Sequence, residues 1–389
     1  MHDLFISKIH IKKCRHLENV DIVLSDSEKK HLILTGKNGS GKTSLLTLLN
    51  AYFVNGYWDA RMAFTTRLDG YIKKRGHADH PSHGLLEISL SNGDFKLNGK
   101  SYWKQLQEQL LAYMSAYRQL DLDIPESIQK VNLNEDVSSN IFLQYLLDLN
   151  YQRTNAIANG DESEAKRVAI WFDMFKDTLR KIYDSPELDL VHDPKKDYNF
   201  RISMPDREVF SFREMADGYS SFLHIVMELI MRMESKASMT YDIPGIVLID
   251  EIESHLHVEL QRRVLPFLTE MFPRIQFIVT THSPHVVTSL KNAVVFDLEK
   301  RQKLENPWMY SAETVVEAFL DSTVYSEELN QYFERYKELC FKQRTPEENE
   351  EFLRAKTELE LMAPASKELY IAFQELEHKR KAVKHGKID

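Results

Sequence analysis

The chain has 389 residues, of which 43% are hydrophobic and 28% charged, and its formal net charge is -9. That length predicts two or three structural units with ample apolar material for a core, and the acidic balance excludes a whole-protein field that gathers nucleic acid; any such contact needs a local basic patch. Two cysteines, Cys14 and Cys340, stand far apart without metal-ligand spacing, and neither a basic-then-apolar leader nor a run approaching about 18 apolar residues is visible, so the expected setting is the cytoplasm, away from membranes.

Residues 4–12 alternate apolar and polar and predict a strand, with a second over 20–24. An apolar run at His31–Thr35 leads directly into Gly36-Lys37-Asn38-Gly39-Ser40-Gly41-Lys42-Thr43, after which Ser44-Leu45-Leu46-Thr47-Leu48-Leu49 turns helical. Residues 84–99 read as a hairpin turning at Ser91-Asn92-Gly93-Asp94. Residues 101–118 start helical and end either as helix or as a strand near Ala112–Arg118. The span 125–185 predicts a helical insertion, and in Glu164–Tyr183 the residues Val168, Trp171, Phe172, Phe175, Leu179 and Ile182 recur at helical spacing as a packing face.

Strand character returns at 188–212, and a helix follows Asp217-Gly218. Next come a buried strand over Gly245–Ile249 ending in Asp250-Glu251, a helix over Val258–Met271 and a strand over Gln276–Thr280 ending in Thr281-His282-Ser283-Pro284. A strand at Ala293–Phe296 is expected to close the sheet. Beyond 300 the chain is charged and helical. The alternation of buried strands and helices predicts an α/β fold with a helical insertion and a helical C-terminal region.

Gly36–Thr43 matches G-x-x-x-x-G-K-[ST] between strand and helix, the context in which glycines let backbone N–H groups approach phosphate oxygens. Lys42 is placed to reach the β- and γ-phosphates and the Thr43 hydroxyl to ligate Mg²⁺. Asp250 emerges where open α/β sheets bind ligands and suits the Mg²⁺ shell. Glu251, one residue on, suits a general base acting on water. His282, at the end of the next strand, is placed to hydrogen-bond a γ-phosphate. His255 and His257 do not share a helix face, which argues against a zinc site.

These segments, in this order, resemble the ABC-type ATPase heads of the SMC, RecF and OLD group, and most of all the stand-alone members found beside effector genes in bacterial anti-phage systems such as Septu, PARIS and some retrons. The resemblance covers most of residues 1–300 and rests on Lys8–Arg15, Gly36–Thr43, Ile249-Asp250-Glu251 with His255-Leu256-His257, and Thr281-His282-Ser283-Pro284. It implies a P-loop NTPase of sheet-sandwich architecture binding ATP and Mg²⁺. The Walker A loop then runs from Gly36 into Ser44, Asp250-Glu251 is the Walker B pair and His282 the switch histidine.

The same resemblance makes residues 215–219 the signature segment, with Gly218 contacting the nucleotide of an opposite subunit. The family's signature serine falls at Ala216, which implies slow or partner-controlled hydrolysis. It also points to Arg15 as a nucleotide contact and to Gln119 as the loop glutamine beside Mg²⁺. The units it implies are an N-terminal ATPase lobe (1–120), a helical lid or arm (121–190), a C-terminal ATPase lobe (191–300) and a helical partner or oligomerisation region (301–389). Amphipathic stretches such as Val315-Val316-Phe319-Leu320 fit either docking to a neighbour or packing on the head.

No cluster of Toprim, HNH or PD-(D/E)xK type is apparent in the sequence. The expected protein is therefore a homo-oligomeric ATPase that controls a separately encoded effector, expected to be a nuclease, in anti-phage defence. The alternative is a RecF-like DNA-repair ATPase, for which the basic run at 378–387 leaves nucleic-acid contact open. A transporter subunit is disfavoured by the insertion and by Thr281-His282-Ser283-Pro284.

Overall fold

The computed structural model describes residues 4–54, 86–91, 109–118, 120–131, 138–192, 199–205, 207–237, 239–318, 327–342, 344–362 and 367–384. The expected 84–99 hairpin and Gln119 fall partly or wholly outside them. Two compact units divide the chain, residues 1–315 and 316–389.

In the first unit the central sheet has, among the described residues, six strands in the order β12-β11-β3-β10-β9-β5. They are β3 (His31–Thr35), β5 (Leu110–Met114), β9 (Gly245–Ile249), β10 (Ile275–Thr280), β11 (Ala293–Asp297) and β12 (Gln302–Leu304). All pairings are parallel except the last, β11 with β12. Every residue of β3, β9 and β10 is buried, as their largely apolar sequences require of strands covered on both faces. Ala293–Phe296 does not close the sheet: β12 adds an antiparallel edge that three mostly polar residues did not announce. Likewise β5 stops at Met114, so Arg118 lies in the loop beyond it rather than on the strand.

A second sheet, β2-β1-β4, joins β1 (Ile6–Cys14), β2 (Leu17–Val23) and β4 (Leu86–Leu90), all antiparallel. Thus β4 pairs with β1, about 80 residues earlier. Between this sheet and the central one lies α1 (Lys42–Val54), whose Leu45, Leu46, Leu48 and Leu49 are buried with residues from both sheets. A helix with so broad an apolar surface belongs in such a position. The sheets are also tied by Gln276 on β10, fully buried: its Oε1 accepts from Ile6 N at 2.7 Å and its Nε2 donates to the Ile6 and Lys30 carbonyls at 2.9 and 2.7 Å.

The insertion is a helix pair, α2 (Phe142–Ala158) and α3 (Glu162–Tyr183). Asp161 caps α3 by accepting from Glu164 N at 3.0 Å, an interaction worth about 1 kcal/mol, and the predicted aromatic face is indeed core: Trp171 stacks on Phe175 at 5.6 Å. Trp171 Nε1 also donates to the buried Glu234 at 2.9 Å on α4 (Asp217–Lys236), which packs beside β5 and α5 (Val258–Met271). A small antiparallel sheet of β6 (Asp189–His192), β7 (Phe200–Ser203) and β8 (Phe210–Ser211) follows the pair. Two short helices, α6 (Pro284–Val287) and α7 (Ala312–Ala318), complete this part of the chain.

The second unit contains α8 (Glu327–Cys340), α9 (Pro346–Met362) and α10 (Lys367–Lys384). It has its own core of Tyr336, Leu339, Phe352, Leu359 and Phe373. The Tyr336 hydroxyl donates to Glu377, whose carboxylate Arg380 grips at 2.7 and 2.8 Å. That guanidinium holds the Glu377 carboxyl down at about 2.

His31 gives the fold a pH dependence. It is 4% exposed, its Nδ1 accepts from Phe277 N at 3.1 Å, and burial pushes its pKa down to about 3 from 6.5. Between those values the unfolded chain takes up a proton that the folded chain refuses, so stability falls as pH falls through that window. We expect urea unfolding at pH 5.5 to show wild type losing about 1 kcal/mol more, relative to pH 7.5, than His31→Gln. Identical losses would contradict this.

Candidate functional site

Three segments converge at the C-terminal end of the parallel strands, each carried there by a buried strand. The loop after β3 wraps back on itself with Gly36, Gly39 and Gly41 at φ of +132°, +88° and +98°. At two of these positions close contact adds to φ in disfavouring a side chain. A Cβ on Gly36 would stand 2.9 Å from Ser40 Oγ and 3.2 Å from Glu299 N, and one on Gly41 would stand 3.2 Å from Leu17 Cδ1. Lys42, only 6% exposed, donates from Nζ to the carbonyls of Gly36 at 2.7 Å and Lys37 at 3.1 Å. Burial lowers its pKa, opposed by the charges of Glu251, Glu253, Asp250 and Asp297. Lys37, Asn38 and Gly39 form the exposed crest of the loop, while Ser40 and Ser44 are buried.

Asp250, 2% exposed, takes two hydroxyl donors on Oδ1: Thr43 Oγ1 at 3.2 Å and Thr280 Oγ1 at 2.6 Å. Thr280 Oγ1 in turn accepts from Glu251 N at 2.7 Å. Glu251 is half-buried with φ +44°, and its Oε2 accepts from Ser254 Oγ at 3.3 Å. His282 follows β10, half-buried; burial first, then the Lys42 charge, lowers its pKa. Its main-chain N–H donates to Glu253 Oε1.

Lys42, Thr43, Asp250, Glu251 and His282 are therefore brought together. Arg15 is exposed in a left-handed turn (φ 54°) between β1 and β2, and its neighbour His16 comes within 3.7 Å of the Cβ position of Gly41, so that turn abuts the loop. Gly218, in the first turn of α4, abuts the post-β9 loop: a Cβ there would lie 3.3 Å from the His255 carbonyl and 3.3 Å from the His257 ring. Ala216 is the N-cap of α4 and supplies no side-chain cap, leaving the first main-chain N–H groups of that helix without the hydroxyl a serine offers. Gln119 lies outside the described residues.

Three functional-site residues escaped the sequence reading. Thr280 links the two carboxylate-bearing positions. Glu253 joins the site's charges. Arg118, 4% exposed, donates from Nη1 to the carbonyls of Ser115 at 2.8 Å and Asp250 at 2.6 Å, and from Nη2 to that of Glu251 at 2.7 Å. A threonine pair closing a buried strand and a lone arginine in an apolar stretch were the available signals.

The donor set fits a phosphate chain with a hard divalent cation. Backbone concavity and a lysine suit phosphate, and Ser40 Oγ is buried with no partner among the described residues. A hydroxyl and a carboxylate that meet at 3.2 Å are the oxygen ligands Mg²⁺ takes.

A model of the family described as "AAA domain, putative AbiEii toxin, Type IV TA system" matches residues 32–288, well over half of the chain. "Septu protein PtuA" of Bacillus mycoides (strain KBAB4) is 25% identical over 364 residues, covering 85% of this chain and 47% of that protein. "Retron Ec83 probable ATPase" of Escherichia coli is 35% identical over 100 residues, covering 25% of this chain and 18% of that protein. The chain thus spans about half, or less, of the length of these relatives. Among solved structures, the SMC head domain from Thermotoga maritima is 15% identical with a TM-score of 0.41, over 75% of this chain and 94% of that one.

Proposed function

The chain belongs to the AAA-domain family whose model its residues 32–288 match, and from that premise we propose that it binds and hydrolyses ATP as a regulatory ATPase of anti-phage defence. One observation carries the hydrolytic part: the phosphate loop, through Thr43, and β9, through Asp250, meet at one carboxylate oxygen with Glu251 beside it. The names of its Septu and retron relatives support the defence setting.

Lys42 and the loop N–H groups bind the phosphates. Thr43 and Asp250 hold Mg²⁺, which when bound neutralises phosphate charge and orients the reacting group. Glu251 orients the water and accepts its proton at a carboxylate oxygen. His282 donates to the terminal phosphate and so registers its presence. Arg15, from the adjoining turn, contacts the nucleotide, and Gln119 completes the Mg²⁺ surroundings.

Gly218 and the uncapped α4 N-terminus face the nucleotide of a second copy, so two copies enclose the ATP. The missing serine hydroxyl at position 216 removes one donor and makes turnover slow or dependent on a partner. Residues 121–190 act as a lid or arm, and the helical unit after 315 docks a separately encoded effector, a nuclease.

Phosphate release from ATP with Mg²⁺ tests the activity. Wild type is expected to turn over, and Lys42→Ala is expected to lose both turnover and measurable ATP binding. Equal activity in the two proteins would refute the assignment.

A further inference from the structure

Glu253 was assigned no task by its position two residues beyond the Walker B pair. Yet its carboxylate joins two segments of the site. Oε1 accepts the main-chain N–H of His282, just past the end of β10. The regular β9–β10 ladder stops at Ile249 opposite Val279, and beyond it Thr280 Oγ1 on Asp250 Oδ1, Glu251 N on Thr280 Oγ1 and Ile252 N on the Thr280 carbonyl continue the link. The bond from Glu253 is the outermost of these ties and the one that reaches the histidine itself.

The other oxygen, Oε2, is buried and has no hydrogen-bond partner among the described residues. Glu253 is thus not an ordinary buried ion pair. The two cations whose charge it influences are committed elsewhere, Lys42 to the Gly36 and Lys37 carbonyls and Arg118 to those of Ser115, Asp250 and Glu251. A carboxylate retained under those conditions has its use in the bond it makes, a charge-assisted one to a main-chain donor.

We infer that Glu253 is a positioning residue that fixes the His282 backbone against the Walker B segment, so that the His282 ring stands where a terminal phosphate is sensed. This rests on the reading of His282 given above. Gln at 253 retains an oxygen for the His282 N–H, whereas Ala removes it.

The test compares full-length wild type, Glu253→Ala, Glu253→Gln, His282→Ala and the double variant Glu253→Ala/His282→Ala. The readouts are the ratio of ATP to ADP affinity, from titration with each nucleotide and Mg²⁺, and kcat. Glu253→Ala is expected to lower the affinity ratio and kcat at least tenfold with ADP affinity changed less than threefold, and Glu253→Gln to recover at least a third of each. The double variant should be no worse than His282→Ala alone, the non-additivity expected when one residue acts through another. Additive losses, or equal loss in the Ala and Gln variants, would overturn the inference. If wild type binds ATP without turnover, the hydrolytic reading fails, while the affinity ratio still decides the role of Glu253.

Discussion

Glu251→Gln should lower ATP turnover by about 10²–10⁴-fold while leaving ATP binding in place, the usual share of a general base. The substitution preserves size and leaves an oxygen to accept from Ser254 Oγ, now at 3.3 Å from Glu251 Oε2. It removes the negative charge and with it the capacity to take a proton. The groups proposed to bind phosphate and cation, Lys42, Thr43 and Asp250, belong to other bonds and stay as they are. Steady-state phosphate release beside equilibrium ATP titration separates the two effects. A variant that turns over at the wild-type rate would place the base elsewhere.

The second large effect is expected at Arg118, through structure rather than chemistry. Its guanidinium ties the loop after β5 to the ends of β9 by three main-chain carbonyls and is almost fully buried. Arg118→Met keeps much of the volume and none of the donors, leaving the Ser115, Asp250 and Glu251 carbonyls short of a partner. A buried acceptor left in that state costs on the order of 1–3 kcal/mol, so a loss of about 3 kcal/mol in unfolding free energy is expected, with turnover falling alongside. Unfolding in urea measures it. A change below about 0.5 kcal/mol, the size of an ordinary surface substitution, would show that these carbonyls are satisfied without the arginine.

The strands that carry the site were legible because each is a largely apolar run with chemistry at its end: His31–Thr35 before the glycine loop, Gly245–Ile249 before Asp250, and β10 before His282. The core stripe of α3 was equally plain, since Val168, Trp171, Phe175, Leu179 and Ile182 share one face. What could not be read were pairings between distant segments. Nothing near Leu86–Leu90 indicates that it seeks β1, and a three-residue polar edge such as β12 has no periodicity to detect. The residues overlooked in the site, Thr280, Glu253 and Arg118, all work by reaching across to main-chain atoms of another segment. Such bonds leave no spacing signal, because their partners lie 29 to 133 positions away.

The central claim is that ATP is enclosed between two copies of the chain. The most direct measurement is the solution mass of Glu251→Gln, with and without ATP and Mg²⁺, beside Lys42→Ala. The account predicts that ATP drives Glu251→Gln into an even-numbered assembly, while Lys42→Ala keeps one mass in both conditions. A Glu251→Gln protein that binds ATP and keeps its nucleotide-free mass would contradict it.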